Sequence, residues 1–171
     1  MTAHEDDDWL DEEWDTQLSA GRSAWEALDW DDSGPDDDLP PPPRGAVRTP
    51  DDALAVLLGL VGPERSGEPA LWFVMLDAEG CTLPVALPIS DIPMRADPEV
   101  VGGVMRILGS VLDDYAPGGS VLVGLVREAG GDRGLFESSW AGSLREGADE
   151  AGVRLSGLAA IGADRARMLE W

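Results

Sequence analysis

The residues best placed to do chemistry lie in one stretch, GLVREAGGDRG at 124–134. It follows an apolar run, SVLV, and leads into LFESSWAGSLREGADEAG, so it reads as a glycine-rich loop between a strand and a helix. Arg127, Glu128, Asp132 and Arg133 fall within it, and Glu137 stands at the start of the helix. Carboxylates that converge could hold a cation, and Gly130-Gly131 between two arginines could receive an anion at the helix N-terminus. The stretch matches neither G-x-x-x-x-G-K-[ST] nor G-x-G-x-x-G, and paired glycines also make a plain turn. An enzymatic reading, a hydrolase or transferase, would rest on Arg127, Glu128, Asp132, Arg133 and Glu137 acting with a cation.

The rest of the chain narrows the chemistry. Its one histidine is His4, its one cysteine is Cys81, and lysine is absent. An imidazole metal site is excluded after residue 4, and Ser138, Ser139 or Cys81 as nucleophile would lack a histidine or lysine base. No metal, no cofactor and no catalytic residue is expected, and Cys81 reads as a packed strand residue. Asp77 and Asp91 stand at strand ends, where an aspartate closes a turn. Trp72, Trp140 and Trp171 read as packing residues, since no basic groove accompanies them as a nucleic-acid stacking platform would need.

Composition sets the partners. The net charge is −22, from 34 acidic residues against 12 basic ones, all arginine. Such a field repels nucleic acid and anionic membrane surfaces. Residues 1–44 hold 15 carboxylates and two arginines, hence −13, which leaves −9 for the remaining 127 residues. That charge density resists collapse, and the segment closes on Leu39 and four prolines, a stiff polyproline II spacer. Residues 1–45 are expected to be a disordered acidic tail with a hinge, and 46–171 a single globular domain. Four of the seven tryptophans lie in the tail, Trp9, Trp14, Trp25 and Trp30, in two W-x4-W pairs. Leu10, Trp14 and Leu18 share a helical stripe, and Ser23-x-x-Glu26 makes a capping box, so two short helices could form on a partner. The start MTAHEDDDW carries no basic n-region or apolar h-region, and no run approaches the roughly 18 apolar residues of a membrane span. A cytoplasmic location is expected.

The elements that must position the loop follow from local signals. Thr49 caps a helix with Pro50 at its first position, and ALAVLLGLV carries it to Gly62-Pro63. ALWFVMLD (70–77) and CTLPVALPI (81–89) read as strands around a DAEG turn, the second an edge or bulged strand because of Pro84 and Pro88. Asp97-Pro98 opens a helix to about residue 113 with Val100, Val101, Val104, Ile107, Leu108 and Val111 expected on its buried side. SVLVGLV (120–126) is apolar throughout, as a strand covered on both faces would be, one by the helix around Val104 and the other by the helix around Leu144. That second helix runs from about Glu137 or Ser138 to Ala151; VRLSGLAAI (153–161) and ARML are the last strands. The order α-β-β-α-β-α-β-β describes an α/β (α+β) domain, a mixed sheet flanked by helices of JAB-like or deaminase-like layout.

LREGADEAGVRLSGLAAIG (144–162) resembles the end of RadC-like JAB/MPN domains, where a helix of the type LxxAxxxLGI enters a strand beginning xLxDHxIVG. FVMLDAEG resembles their early strand and turn, and SVLVGLVREAGG the strand entering their His-x-His-Pro-Ser-Gly loop, so the likeness spans about residues 70–169. The family binds zinc through the loop histidines and an aspartate, with a glutamate that activates water. Here the His-x-His positions read Val126-Arg127-Glu128, the Asp-His positions read Gly157-Leu158, and Glu137 falls near the metal-binding aspartate. The resemblance therefore implies a metal-free pseudoenzyme used as an interaction scaffold. Residues 49–97 also resemble actinobacterial domains of unknown function, in keeping with a composition rich in Ala, Gly, Arg and Asp.

The expected function is a non-enzymatic protein-interaction module whose tail docks on a basic partner through Trp9, Trp14, Trp25 and Trp30. The loop enzyme stands as the alternative. A third reading, an acidic nucleic-acid mimic, asks for carboxylates on a rigid surface, and the densest ones lie in the tail.

Overall fold

The computed structural model describes residues 45–171. The acidic segment, its four tryptophans and the disorder and helices expected of it lie outside the described residues.

Helix α1, Pro50–Val61, begins where the local signals place it. Thr49 Oγ1 accepts from the Asp52 N–H at 3.1 Å and the Asp52 carboxylate accepts from the Thr49 N–H at 3.0 Å, a closed capping box. A 3-10 turn, Gly62–Ser66, leads to β1, Ala70–Leu76, which is buried along its length. In the next turn Asp77 Oδ1 accepts the N–H groups of Glu79 and Cys81 at 3.0 and 2.8 Å. Strand β2, Thr82–Ser90, follows, and then Asp97 caps α2, Pro98–Tyr115. Strand β3 is Ser120–Val126, α3 is Leu135–Ala151, β4 is Leu155–Ile161 and β5 is Ala166–Glu170. The element order is the one read from sequence. Helix α3 starts earlier than its charged residues suggested, because Leu135 and Phe136 already form its first turn.

The five strands form one mixed sheet in the order β2-β1-β3-β4-β5. Strand β1 is antiparallel to β2 and β3, β3 and β4 are parallel across the α3 crossover, and β5 returns antiparallel to β4. A mixed sheet with helices on both faces agrees with the α/β (α+β) reading. Strand β2 lies at the edge, as its two prolines require.

Which helix covers which face differs from expectation. Leu122 and Val126 of β3 pack on one face with Val56, Leu57 and Val61 of α1. Val121, Val123 and Leu125 pack on the other with Val101, Met105 and Leu108 of α2 and Phe136, Trp140 and Leu144 of α3. The helices around Val104 and Leu144 are thus neighbours in one layer, and α1 forms the opposite layer. Gly147 makes this possible: a Cβ there would lie 2.7 Å from Val101 Cγ1, so only glycine lets α3 approach α2 so closely. The buried stripe of α2 is Val101, Met105, Leu108 and Leu112. Val104 and Val111 are half-buried, while Val100 and Ile107 are 49% and 61% exposed, contrary to the expected stripe, because α2 packs with a face rotated towards α3. Trp72 and Trp140 are buried, whereas Trp171 is 53% exposed and is not a core residue. Among the described residues no helix is long and apolar enough to cross a membrane.

Candidate functional site

The β3–α3 loop begins at Arg127, where the fully buried strand β3 releases the chain. Arg127 turns back onto the first turn of α3. Its Nε donates to Glu137 Oε1 at 2.9 Å and its Nη2 to Glu137 Oε2 at 3.2 Å, a two-point contact of guanidinium and carboxylate. Glu137 is fully buried, at 0% side-chain exposure, while Arg127 retains 21%. The guanidinium carbon also stands 5.8 Å from the centroid of the Phe136 ring. Glu137 occupies the third position of α3, where the unpaired N–H groups of the first turn favour negative charge. A Cβ at Gly134 would lie 2.7 Å from Glu137 Oε2 and 2.9 Å from Arg127 Nη2, so glycine there leaves room for the pair.

The other loop residues point elsewhere. The Asp132 carboxylate accepts from its neighbour's N–H at 2.7 Å and lies 3.1 Å from Arg167 Nη1 of β5. Those two contacts, the Arg133 N–H first and then the Arg167 charge, hold the Asp132 carboxyl below its ordinary value. Arg133 Nη2 donates to the Leu169 carbonyl at 3.1 Å. Glu128 is exposed, and its carbonyl accepts from the Ala163 N–H at 3.0 Å. Arg127 and Glu137 are therefore brought together, Asp132 and Arg133 are drawn to β5, and Glu128 stands apart from both. Among the described residues no three His, Cys, Asp or Glu side chains are grouped to hold a metal ion.

The paired glycines serve backbone contact. Gly130 N–H donates to the Arg127 carbonyl at 2.8 Å, which closes a turn. Gly131 has φ +88, and a Cβ on it would collide with the Arg165 carbonyl. A Cβ on Gly162 would collide with the Gly130 backbone in the same way. The loop and the β4–β5 turn thus lie backbone to backbone. Arg165 Nε donates to the Gly130 carbonyl at 3.3 Å and Arg65 Nε to the Gly162 carbonyl at 3.0 Å, which clasps the two turns to each other and to the 3-10 turn that follows α1.

A second feature escaped the sequence reading. Between α1 and the edge strand β2 lies an apolar cleft of about 460 Å3, walled by Val56 and Leu60 of α1, Val74 of β1, Val85 of β2, Cys81 just before β2, and Gly45. Helix α1 covers the centre of the sheet and stops short of its β2 edge. The only signal in the sequence was the pair of prolines that marked β2 as an edge. Trp9, Trp14, Trp25 and Trp30, the partner-binding residues expected from sequence, lie outside the described residues. No protein-family model, curated protein or solved structure matches this chain.

Proposed function

We propose that this chain is a non-enzymatic interaction module: a domain of JAB-like or deaminase-like layout that presents an acidic, tryptophan-bearing segment to a basic protein partner in the cytoplasm. The observation that carries the reading is the two-point Arg127–Glu137 contact, in which the loop's most buried charges satisfy each other. Buried ion pairs of this kind orient elements, whereas a catalytic acid or base has to face a substrate. One layer with α1 and one with α2 and α3, on a sheet ordered β2-β1-β3-β4-β5, supports the finer layout. The docking half of the reading rests on sequence: 15 carboxylates steer, and Trp9, Trp14, Trp25 and Trp30 anchor.

Steering and anchoring separate by experiment. The full chain and a variant with all four tail tryptophans replaced by alanine are used as baits, and the captured proteins are identified and purified. A partner held only by the parent chain should associate more slowly as salt is raised, because screening shortens to about 3 Å at 1 M. Trp14→Ala or Trp25→Ala should raise its dissociation rate by about 30-fold, equivalent to about 2 kcal/mol. Identical captures by both baits would refute the proposal.

A further inference from the structure

Helix α2 carries a second apolar stripe besides the one it buries. Val100, Val104, Ile107 and Val111 follow one another at intervals of four, three and four, the spacing by which one helix seats another, and Tyr115 extends the stripe by a turn. At about 100° per residue these five fall within about 80° of the helix circumference, centred about 90° from the buried Val101, Met105, Leu108 and Leu112. The stripe is open to solvent: Val100, Ile107 and Tyr115 are 49%, 61% and 78% exposed, and Val104 and Val111 are half-buried. Gly147 of α3 meets α2 at Val101, and Val153, just beyond α3, meets it at Gly109, so α3 lies along the other flank.

The stripe overlooks β2. Strands β1 and β3 are buried at every position, whereas β2 is buried at none. Its Leu83, Leu87 and Ile89 reach the α2–α3 core only at the margin, as do Val104 and Val111. The layer on this face is made of α2 and α3, and among the described residues no helix covers β2 there. The open place beside α2 runs about 22 Å from Val100 to Tyr115, at about 1.5 Å per residue, or four helical turns.

We propose that this step between α2 and β2 is a docking surface for an amphipathic helix of a partner protein, one whose apolar stripe is flanked by lysine and arginine. The apolar half of the match is the heptad spacing on α2, into which a second helix lays its own stripe. The charged half is the rim. Residues 77–115 carry seven carboxylates against Arg95 and Arg106, which is −5 of the domain's −9, and β2 itself has no charged side chain. Asp114, seven residues beyond Ile107, borders the stripe and is exposed. Arg106 is turned back along its own helix, its Nε donating to the Gly102 carbonyl at 3.2 Å. Such a rim attracts a basic helix and repels an anionic bilayer, and a second copy of the chain would bring the same carboxylates and a charge of −22. The surface belongs to the folded domain and stands whether or not the tail docks.

The probe is a fluorescently labelled peptide of three heptads with leucine at alternating intervals of three and four and lysine elsewhere; its control has the same composition with the leucines scattered around the helix. Anisotropy titrations at physiological salt use the full chain. The parent should bind the striped peptide about tenfold tighter than the scattered one, a preference that charge attraction alone cannot give. Val100→Lys with Ile107→Lys should abolish that preference. Leu135→Lys, the same change at a residue 63% exposed at the start of α3, should keep it. Far-UV spectra confirm that each variant is folded; should the double variant unfold, Ile107→Lys alone is read in the same way. Equal binding of the two peptides by the parent, or a preference that survives in the Val100 and Ile107 variant, would overturn the proposal. So would a preference lost on replacing the four tail tryptophans, which would assign it to the tail. Sedimentation that shows a dimer dissociated by Ile107→Lys would overturn it in favour of a second copy, and binding to phosphatidylcholine vesicles abolished by Ile107→Lys would overturn it in favour of a membrane.

Discussion

Replacing either member of the Arg127–Glu137 pair should destabilise the domain, but unequally, because the two ends are buried to different depths. Arg127→Met leaves a carboxylate at 0% exposure with only the first turn of α3 to compensate it. Removing one partner of a buried pair costs about 3–5 kcal/mol. Glu137→Met leaves a guanidinium that already has 21% exposure and can turn to water, so the loss is nearer that of a charge-assisted hydrogen bond, about 1.5–3 kcal/mol. The double variant carries no buried charge and places two thioether side chains beside Phe136, and should fall within about 1 kcal/mol of the parent. The two single losses should thus exceed the double loss by at least about 3 kcal/mol. Urea unfolding of the full chain at neutral pH measures all three, with an unchanged m-value as the sign that only stability has moved. Single losses below about 1 kcal/mol, or additive ones, would mean that water reaches the pair, and the orienting role assigned to it would be wrong.

Three further outcomes follow from the packing. Leu122→Ala and Leu125→Ala should each cost about 2–5 kcal/mol in urea unfolding, since both are fully buried, one against the α1 layer and one against the α2–α3 layer; a loss below about 1 kcal/mol at either would leave that face uncovered. Gly162→Ala should cost about 1–3 kcal/mol, because its Cβ would strike the backbone of Gly130 and no side chain can move aside; a neutral effect on the melting temperature would refute the backbone-to-backbone clasp. The Asp52 carboxyl is held below its ordinary value of 3.8, first by the Thr49 side chain and then by the Arg48 N–H. A depressed native value stabilises the fold above the unfolded value and ceases to do so as pH falls through the native one. The melting-temperature gap between the parent and Asp52→Asn should therefore be constant near neutral pH and close below pH 3.8; a gap that widens in acid would contradict the capping box.

Sequence alone determined the order of elements, and did so where the signals are local. Thr49-Pro50 and Asp97-Pro98 open helices because a cap acts on N–H groups within a few residues of itself, so no tertiary partner is needed to read it. The edge position of β2 was legible for a similar reason, since a proline cannot serve a central strand wherever the rest of the chain lies. The face taken by each helix was not legible. Strand β3 is apolar on both sides and α2 carries apolar residues at positions 100, 101, 104, 105, 107 and 108, so either face and more than one stripe satisfied the pattern. Only the packed structure selected Val101, Met105 and Leu108, through the close approach of α3 at Gly147. The loop shows the same division. Its residue types limited the chemistry, but whether Arg127, Glu128, Asp132, Arg133 and Glu137 converge depends on where β5 and the first turn of α3 lie. The tertiary structure decided that Arg127 meets Glu137 while Asp132 meets Arg167, because distances across turns and strands are set by packing and not by spacing along the chain.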